Sequence, residues 1–160
     1  MARRLVYSLS AAGTDLTNST ADTALASYAF PACFFQNTKR VEFLAVVRSP
    51  TTTGTTTLTL KGKFGGTTFY TSAAVDQADG DVSVIRGSIF ARDADSSGTA
   101  VVEALGADPD ATGTIAPKVA AAVISSLDFT AALTLSVTGT WSAADGNHCQ
   151  AERFEIWEEV

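Results

Sequence analysis

From Leu133 to Trp141 every second residue is apolar or glycine (Leu133, Leu135, Val137, Gly139, Trp141), and Thr134, Ser136, Thr138 and Thr140 fill the gaps. A period of two places the first set on one face of a pleated strand and the hydroxyls on the other, an arrangement that a helix of 3.6 residues per turn cannot produce. The stretch Ser142-Ala143-Ala144-Asp145-Gly146-Asn147 follows, and Asp-Gly and Asn tolerate positive φ, so the chain should reverse there. On the return, Phe154 and Ile156 alternate with Arg153, Glu155 and Trp157. The second strand is expected to pair with the first and close the same core.

The rest of the chain carries the same signal. Twenty-two threonines favour strands, because a β-branched side chain loses less freedom on a pleated surface than in a helix. Residues 4–9 alternate as an opening strand, and residues 12–23 form a loop with room for one helical turn. Residues 25–35 read as a strand that, because Pro31 lacks a ladder donor, should be bent, bulged or at a sheet edge there. Residues 36–39 turn the chain. Residues 41–48 are almost continuously apolar, as expected of a central strand or one buried on both faces. Pro50 and Gly54 mark residues 49–54 as a hairpin loop, and residues 55–64 follow as a half-exposed strand. Gly65-Gly66 leads into a short strand at 67–71, and 76–81 is an acidic turn. Residues 82–92 form a strand with a bulge at Gly87, residues 99–105 another. In residues 115–124 the alanines favour helix while Val119, Val123 and Ile124 favour strand; the segment is assigned to a strand.

Eight to ten short strands with turns every eight to twelve residues, and no sustained helical period, predict an all-β fold. It should be an antiparallel two-sheet β-sandwich of jelly-roll or immunoglobulin-like type, with jelly roll preferred. A chain of 160 residues suits one domain, residues 1–160, burying about two-thirds of its unfolded surface. Apolar residues at 46% against 18% charged indicate a folded chain rather than a disordered one.

A net charge of −6 with only two basic pairs, Arg3-Arg4 and Lys39-Arg40, argues against a nucleic-acid partner, which requires a clustered basic face. No run reaches the roughly eighteen apolar residues of a membrane helix. Residues 3–7 read as a first strand rather than a signal peptide, because Ser8, Ser10, Gly13 and Asp15 interrupt the apolar run. Cys33 and Cys149 are expected to be reduced, buried thiols, and a bridge would require neighbouring strands.

Little here supports catalysis. His148 is the only histidine, no G-x-S-x-G is present, and Cys149 beside it should face the opposite way on an alternating strand. The segment Asp93-Ala94-Asp95-Ser96-Ser97-Gly98 has oxygen ligands at alternate positions, but the twelfth position of a calcium loop falls on Ala104, and an Asp- and Gly-rich turn accounts for the same residues. The acidic turn at 76–81 reads the same way. Glu42, Glu103, Asp128 and Glu155 lie in or near strands, yet no spacing singles out a catalytic pair. The expectation is no catalytic residue, no cofactor and no metal. Trp157, on the face opposite Phe154 and Ile156, is the candidate for stacking on a sugar, or for packing against another subunit or the second sheet.

The Thr-rich, acidic, cysteine-poor pattern is combined with Val-Glu-Phe-Leu-Ala-Val-Val-Arg at residues 41–48, Leu-Ser-Val-Thr-Gly-Thr-Trp-Ser-Ala-Ala-Asp at 135–145 and Phe-Glu-Ile-Trp at 154–157. In these features the chain resembles the jelly-roll decoration, or cement, proteins of tailed bacteriophages. The resemblance implies a non-enzymatic virion protein, made in the host cytoplasm and seated on the outer capsid surface. It further implies a homotrimer that clamps neighbouring major capsid proteins. From charge alone, Arg3 and Arg4 are expected to meet an acidic capsid surface. The alternative is a glycan-binding β-sandwich module of a phage spike or fibre, with Trp157 as its platform.

Overall fold

The computed structural model describes residues 2–35 and 39–160, the side chain of Ala116 excepted. The expected turn at 36–39 therefore lies mostly outside the described residues. Regular structure among the described residues is entirely β. In chain order the strands are β1 (Arg3–Ser8), β2 (Leu16–Thr17), β3 (Thr23–Phe30), β4 (Arg40–Thr51), β5 (Thr57–Phe64) and β6 (Thr67–Thr71). They are followed by β7 (Val75–Asp76), β8 (Asp81–Asp93), β9 (Gly98–Pro109), β10 (Ile115–Leu127), β11 (Leu133–Trp141) and β12 (His148–Glu159).

Two antiparallel sheets pack face to face as a β-sandwich. The larger runs β1-β12-β4-β8-β9-β10, with β2 against β12; the smaller runs β3-β11-β5-β6, with β7 against β5. Odd-numbered residues of β4, namely Val41, Phe43, Ala45 and Val47, point inward beside Phe154 and Ile156, and meet Leu58, Leu60, Leu135, Val137 and Trp141 of the smaller sheet. The strict alternation of these strands makes a dry interior from one face of each sheet. At one end Phe35 packs edge-on against Phe30, Phe64 and Phe129 at centroid separations of 4.8, 5.4 and 5.6 Å. Such T-shaped contacts set the positive edge of one ring against the negative face of another.

Several expectations are corrected. The strands at 133–141 and 148–159 do not form a hairpin. β11 pairs with β3 and β5, whereas β12 pairs with β1, β2 and β4, so the reversal at Asp145-Gly146 carries the chain from one sheet to the other. β4 likewise runs past the expected loop start to Thr51, and residues 52–56 connect it to β5 in the opposite sheet rather than closing a hairpin. The apolar run 25–35 is not one bent strand. β3 stops at Phe30, Pro31 cannot continue the ladder, and Phe34 and Phe35 fold back on Phe30 through Cys33 at φ 59°. The segment 12–23 contains no helical turn but the two-residue β2, and β9 extends well past 105 to Pro109. The assignment of 115–124 to a strand agrees with β10.

Gly87 is not at a bulge: its register is continuous with Phe43 on one side and Ala104 on the other. The glycine is required by close packing instead, since a Cβ there would lie 2.1 Å from the Glu103 carbonyl oxygen and 2.8 Å from Cζ of Phe43. Gly87→Ala is therefore expected to cost about 1–3 kcal/mol, read as a lower denaturant midpoint at unchanged slope. A neutral result would mean that the strands separate freely at this point.

Candidate functional site

Alternation also decides where the charged ends of the larger sheet lie. On β1, Arg3 and Leu5 take the outer face opposite Glu159 and Trp157, while Arg4 lies opposite Glu158 on the core side. Glu158 is nearly fully buried and is held by Arg4 and by Lys39, whose Nζ is 3.0 Å from its Oε2. Lys39 also donates to the Phe34 carbonyl at 3.1 Å and sits 3.9 Å above the Phe34 ring. Arg4 thus pins the first strand to the last. The two arginines have separate roles, and a truncation of the first ten residues would remove a sheet strand along with the charges.

Arg3 and Trp157, by contrast, both line a groove of about 810 Å³ across the outer face of the larger sheet. Cross-strand register builds its floor. One row runs Leu5, Trp157, Glu42, Ser88, Glu103, Ala121 from β1 to β10. The next runs Glu155, Leu44, Arg86, Leu105, Val119. The groove therefore has an aromatic wall at the β12 end and aliphatic groups at the β10 end, with charges between them.

Those charges are only partly neutralised. Arg3 bridges Glu42 at 2.7 Å, and Arg40 reaches Glu159 at 3.6 Å and the Ser88 hydroxyl at 3.3 Å. Among the described residues Arg86 and Glu103 have no ion-pair partner, and both are exposed. Beyond the groove, Val46 and Val84 form an adjacent apolar pair, and Phe90, Val101 and Val123 another row. A solvated sheet face alternates to polar residues; this one does not.

The outer face of the smaller sheet does. Thr59 lies opposite Thr140, Lys61 opposite Thr138 and Lys63 opposite Ser136. Lys63 and Lys61 converge on Asp22 at 2.7 and 3.2 Å. Burial opposes ionisation of Asp22, but Lys63, Thr138 and Lys61 outweigh it and hold the carboxyl at about 2. One side of the sandwich is thus built for water, whereas the other mixes charged groups with outward apolar side chains.

The remaining sequence candidates are apart from the groove. His148 Nδ1 lies 3.0 Å from Asp15 Oδ2 and 3.2 Å from the Thr17 hydroxyl on the surface. Its neighbour Cys149 is buried on the opposite side, where burial and then Asp15 push the thiol up to about 12, a poor nucleophile. Both cysteines are free, and Cys33 is exposed rather than buried because it lies in the turn after β3. Asp95 accepts the Ser97 N–H at 2.8 Å in the β8–β9 turn, and Asp81 accepts the Ala78 N–H at 2.8 Å. Among the described residues no three His, Cys, Asp or Glu side chains are grouped to hold a metal ion, and no helix is long and apolar enough to cross a membrane.

Sequence reasoning found Arg3 and Trp157 but missed Leu44, Arg86, Leu105 and Val119. The signal was present in residues 41–48, where the apolar residues at even positions have no place in the core and so belong to the outer face. Compared with protein-family models, curated proteins and solved structures, the chain matches none of them.

Proposed function

We propose that this chain is a non-enzymatic bacteriophage virion structural protein, a decoration or cement protein that stabilises the capsid by binding the major capsid protein. The single observation that carries the reading is the asymmetry of the two outer faces. Threonine, serine and paired lysines cover the smaller sheet, while Leu44, Val46, Val84, Leu105 and Val119 interrupt the polar surface of the larger one. A sheet face that mixes outward apolar side chains with unpaired charges suits a protein partner, with the apolar groups supplying affinity and Arg86 and Glu103 supplying orientation. The hydroxyl-rich face would then look outward into solvent, on the outer capsid surface. Pairing of the first strand with the last, and repeated crossing between the sheets, support a jelly-roll winding of the sandwich. Of the two N-terminal arginines, Arg3 is assigned to the capsid contact and Arg4 to holding β1.

Co-sedimentation with emptied shells tests the proposal. Wild type should saturate at a fixed stoichiometry and raise the temperature at which the shell opens. Trp157→Ala, at the groove wall, should weaken binding by about 2 kcal/mol or more, roughly 30-fold, while leaving the unfolding midpoint within a few degrees. Absence of co-sedimentation at any concentration would refute the capsid reading.

One observation favours a second reading. Trp157 shares its groove with Arg86 and Glu103, the combination of aromatic platform and free polar groups that holds a sugar ring. Glycan-array binding that disappears in Trp157→Ala, with shell occupancy unchanged, would establish the glycan-binding module instead.

A further inference from the structure

β10 ends the larger sheet, paired with β9 on one side and hydrogen-bonded to no strand on the other among the described residues, although β6, the edge of the smaller sheet, comes close to it. Exposed sheet edges are usually blunted by charge, shortness or bulges, because unpaired N–H and C=O groups recruit another strand. The edge strand β1 carries Arg3 and Arg4, the edge strand β6 is only five residues long, and the uncharged eight-residue edge β3 is partly covered by the preceding loop, whose Thr14 N–H donates to the Leu25 carbonyl at 2.9 Å. β10 is thirteen residues long, its only charge is Lys118, and Val119 and Val123 are 78% and 62% exposed.

The phase of its ladder is set at the turn. The Asp110 N–H donates to the Thr114 carbonyl at 2.9 Å, so the bonded pairs further along are Lys118 with Gly106, Ala120 with Ala104 and Ala122 with Val102. The amides of Val119, Ala121 and Val123 therefore face the open edge. Pro117 falls in the same phase, where its missing N–H costs β9 nothing.

We propose that β10 is a homodimerisation edge, pairing antiparallel with β10 of a second copy about a twofold axis at Ala121. Three features single out a second copy over an unrelated strand. First, residues 119–123 read Val-Ala-Ala-Ala-Val, a palindrome, so Val119 meets the partner's Val123 and Ala121 meets the partner's Ala121. Second, the limits of the regular edge are symmetric about the same residue. Pro117 closes it at one end and the register shift after Ile124 at the other, so in this pairing Pro117 falls opposite the partner's Ser125. Third, Lys118 falls opposite the partner's Ile124, so no like charges meet. An isologous interface requires this self-complementarity; a contact with another protein does not. The twofold also joins the two apolar outer faces into one surface. Val119 and Ala121 also line the end of the groove, but the pairing is read on the protein alone, with no groove ligand present, and it replaces the trimer that the resemblance implies.

Sedimentation equilibrium of the 16.6 kDa chain at about 50 µM should give the mass of two chains. Val119→Lys with Val123→Lys places like charges opposite each other twice and should weaken the dimer by about 100-fold or more. Val119→Lys with Val123→Glu places opposite charges at the same positions and should restore it, which only this register allows. Ala121→Pro removes the central open-edge N–H without touching the β9 ladder and should give a monomer with the wild-type far-ultraviolet spectrum. A wild-type mass of one chain or of three overturns the proposal. So does a dimer indifferent to the lysine pair, or a lysine–glutamate pair that dissociates as the two lysines do.

Discussion

Replacing Trp141 with alanine is expected to lower the unfolding free energy by roughly 3–5 kcal/mol, the range for emptying a large buried aromatic site. Trp141 is 1% exposed at the end of β11, opposite Leu58 on β5, and its indole is among the largest buried side chains of the interior. The β11–β5 ladder beside it is continuous up to the Trp141–Leu58 pair, so the walls of the resulting cavity can collapse only partly. At about 2–4 °C per kcal/mol for a domain of this size, the midpoint should fall by roughly 6–20 °C. Trp141→Phe should cost clearly less. It keeps most of the contact area and removes an indole N–H that has no hydrogen-bond partner among the described residues. A loss under about 1 kcal/mol for the alanine variant would mean that the ring is not part of the core.

The second large effect runs in the opposite direction and depends on pH. Asp108 on β9 is 1% exposed, its Oδ2 accepts from the Tyr70 hydroxyl at 3.4 Å, and no cation lies against it among the described residues. Burial raises its carboxyl above the ordinary value, and hydrogen bonds from Ser83 and Tyr70 offset only part of that. A folded-state value above the unfolded one means that the native protein binds the proton more tightly. The stability from this group is thus fully present below the unfolded value of 3.8 and is lost as pH rises through the raised folded value.

Asp108→Asn should therefore match wild type at pH 3 and exceed it at pH 7, by on the order of 1–3 kcal/mol. The difference between the two melting curves across pH isolates this carboxyl from Asp22, whose depressed value acts in the opposite sense. The contribution of Asp22 is present above its unfolded value of 3.8 and is lost as pH falls towards about 2. A wild-type-minus-variant difference that does not change with pH would refute the assignment. Tyr70 belongs to the same buried group. Its ring crosses the interior from β6 and its hydroxyl occupies the space that a Cβ on Gly106 would need, at 1.7 Å. Burial, followed by the nearby Asp108 charge, pushes that hydroxyl up, so it stays protonated and can donate.

The closing strands show how far the sequence could be read. The alternation of Leu133, Leu135, Val137 and Trp141, and of Phe154 and Ile156, identified strands, their inward faces and the tryptophan in the core, and the structure agrees at each of these residues. It could not say which strands bond to which. Two strands with one apolar face each are equally satisfied side by side in one sheet or face to face across an interior, because burial constrains the direction of a side chain and not the partner of a backbone amide. Gly87 is similar: a glycine inside a strand signals a missing side chain, but only the neighbouring Glu103 carbonyl and Phe43 ring explain why. Trp157 was legible as an outward residue, whereas the groove it lines was not, since Leu44, Arg86 and Leu105 come from three strands whose lateral order the sequence does not state.

The chain's own pattern, then, determined an all-β sandwich and its buried faces, because side-chain periodicity is a local property. Only the tertiary structure decided the strand order, the apolar outer face and the open edge of β10. Those depend on backbone pairings between distant segments, which residue alternation leaves degenerate.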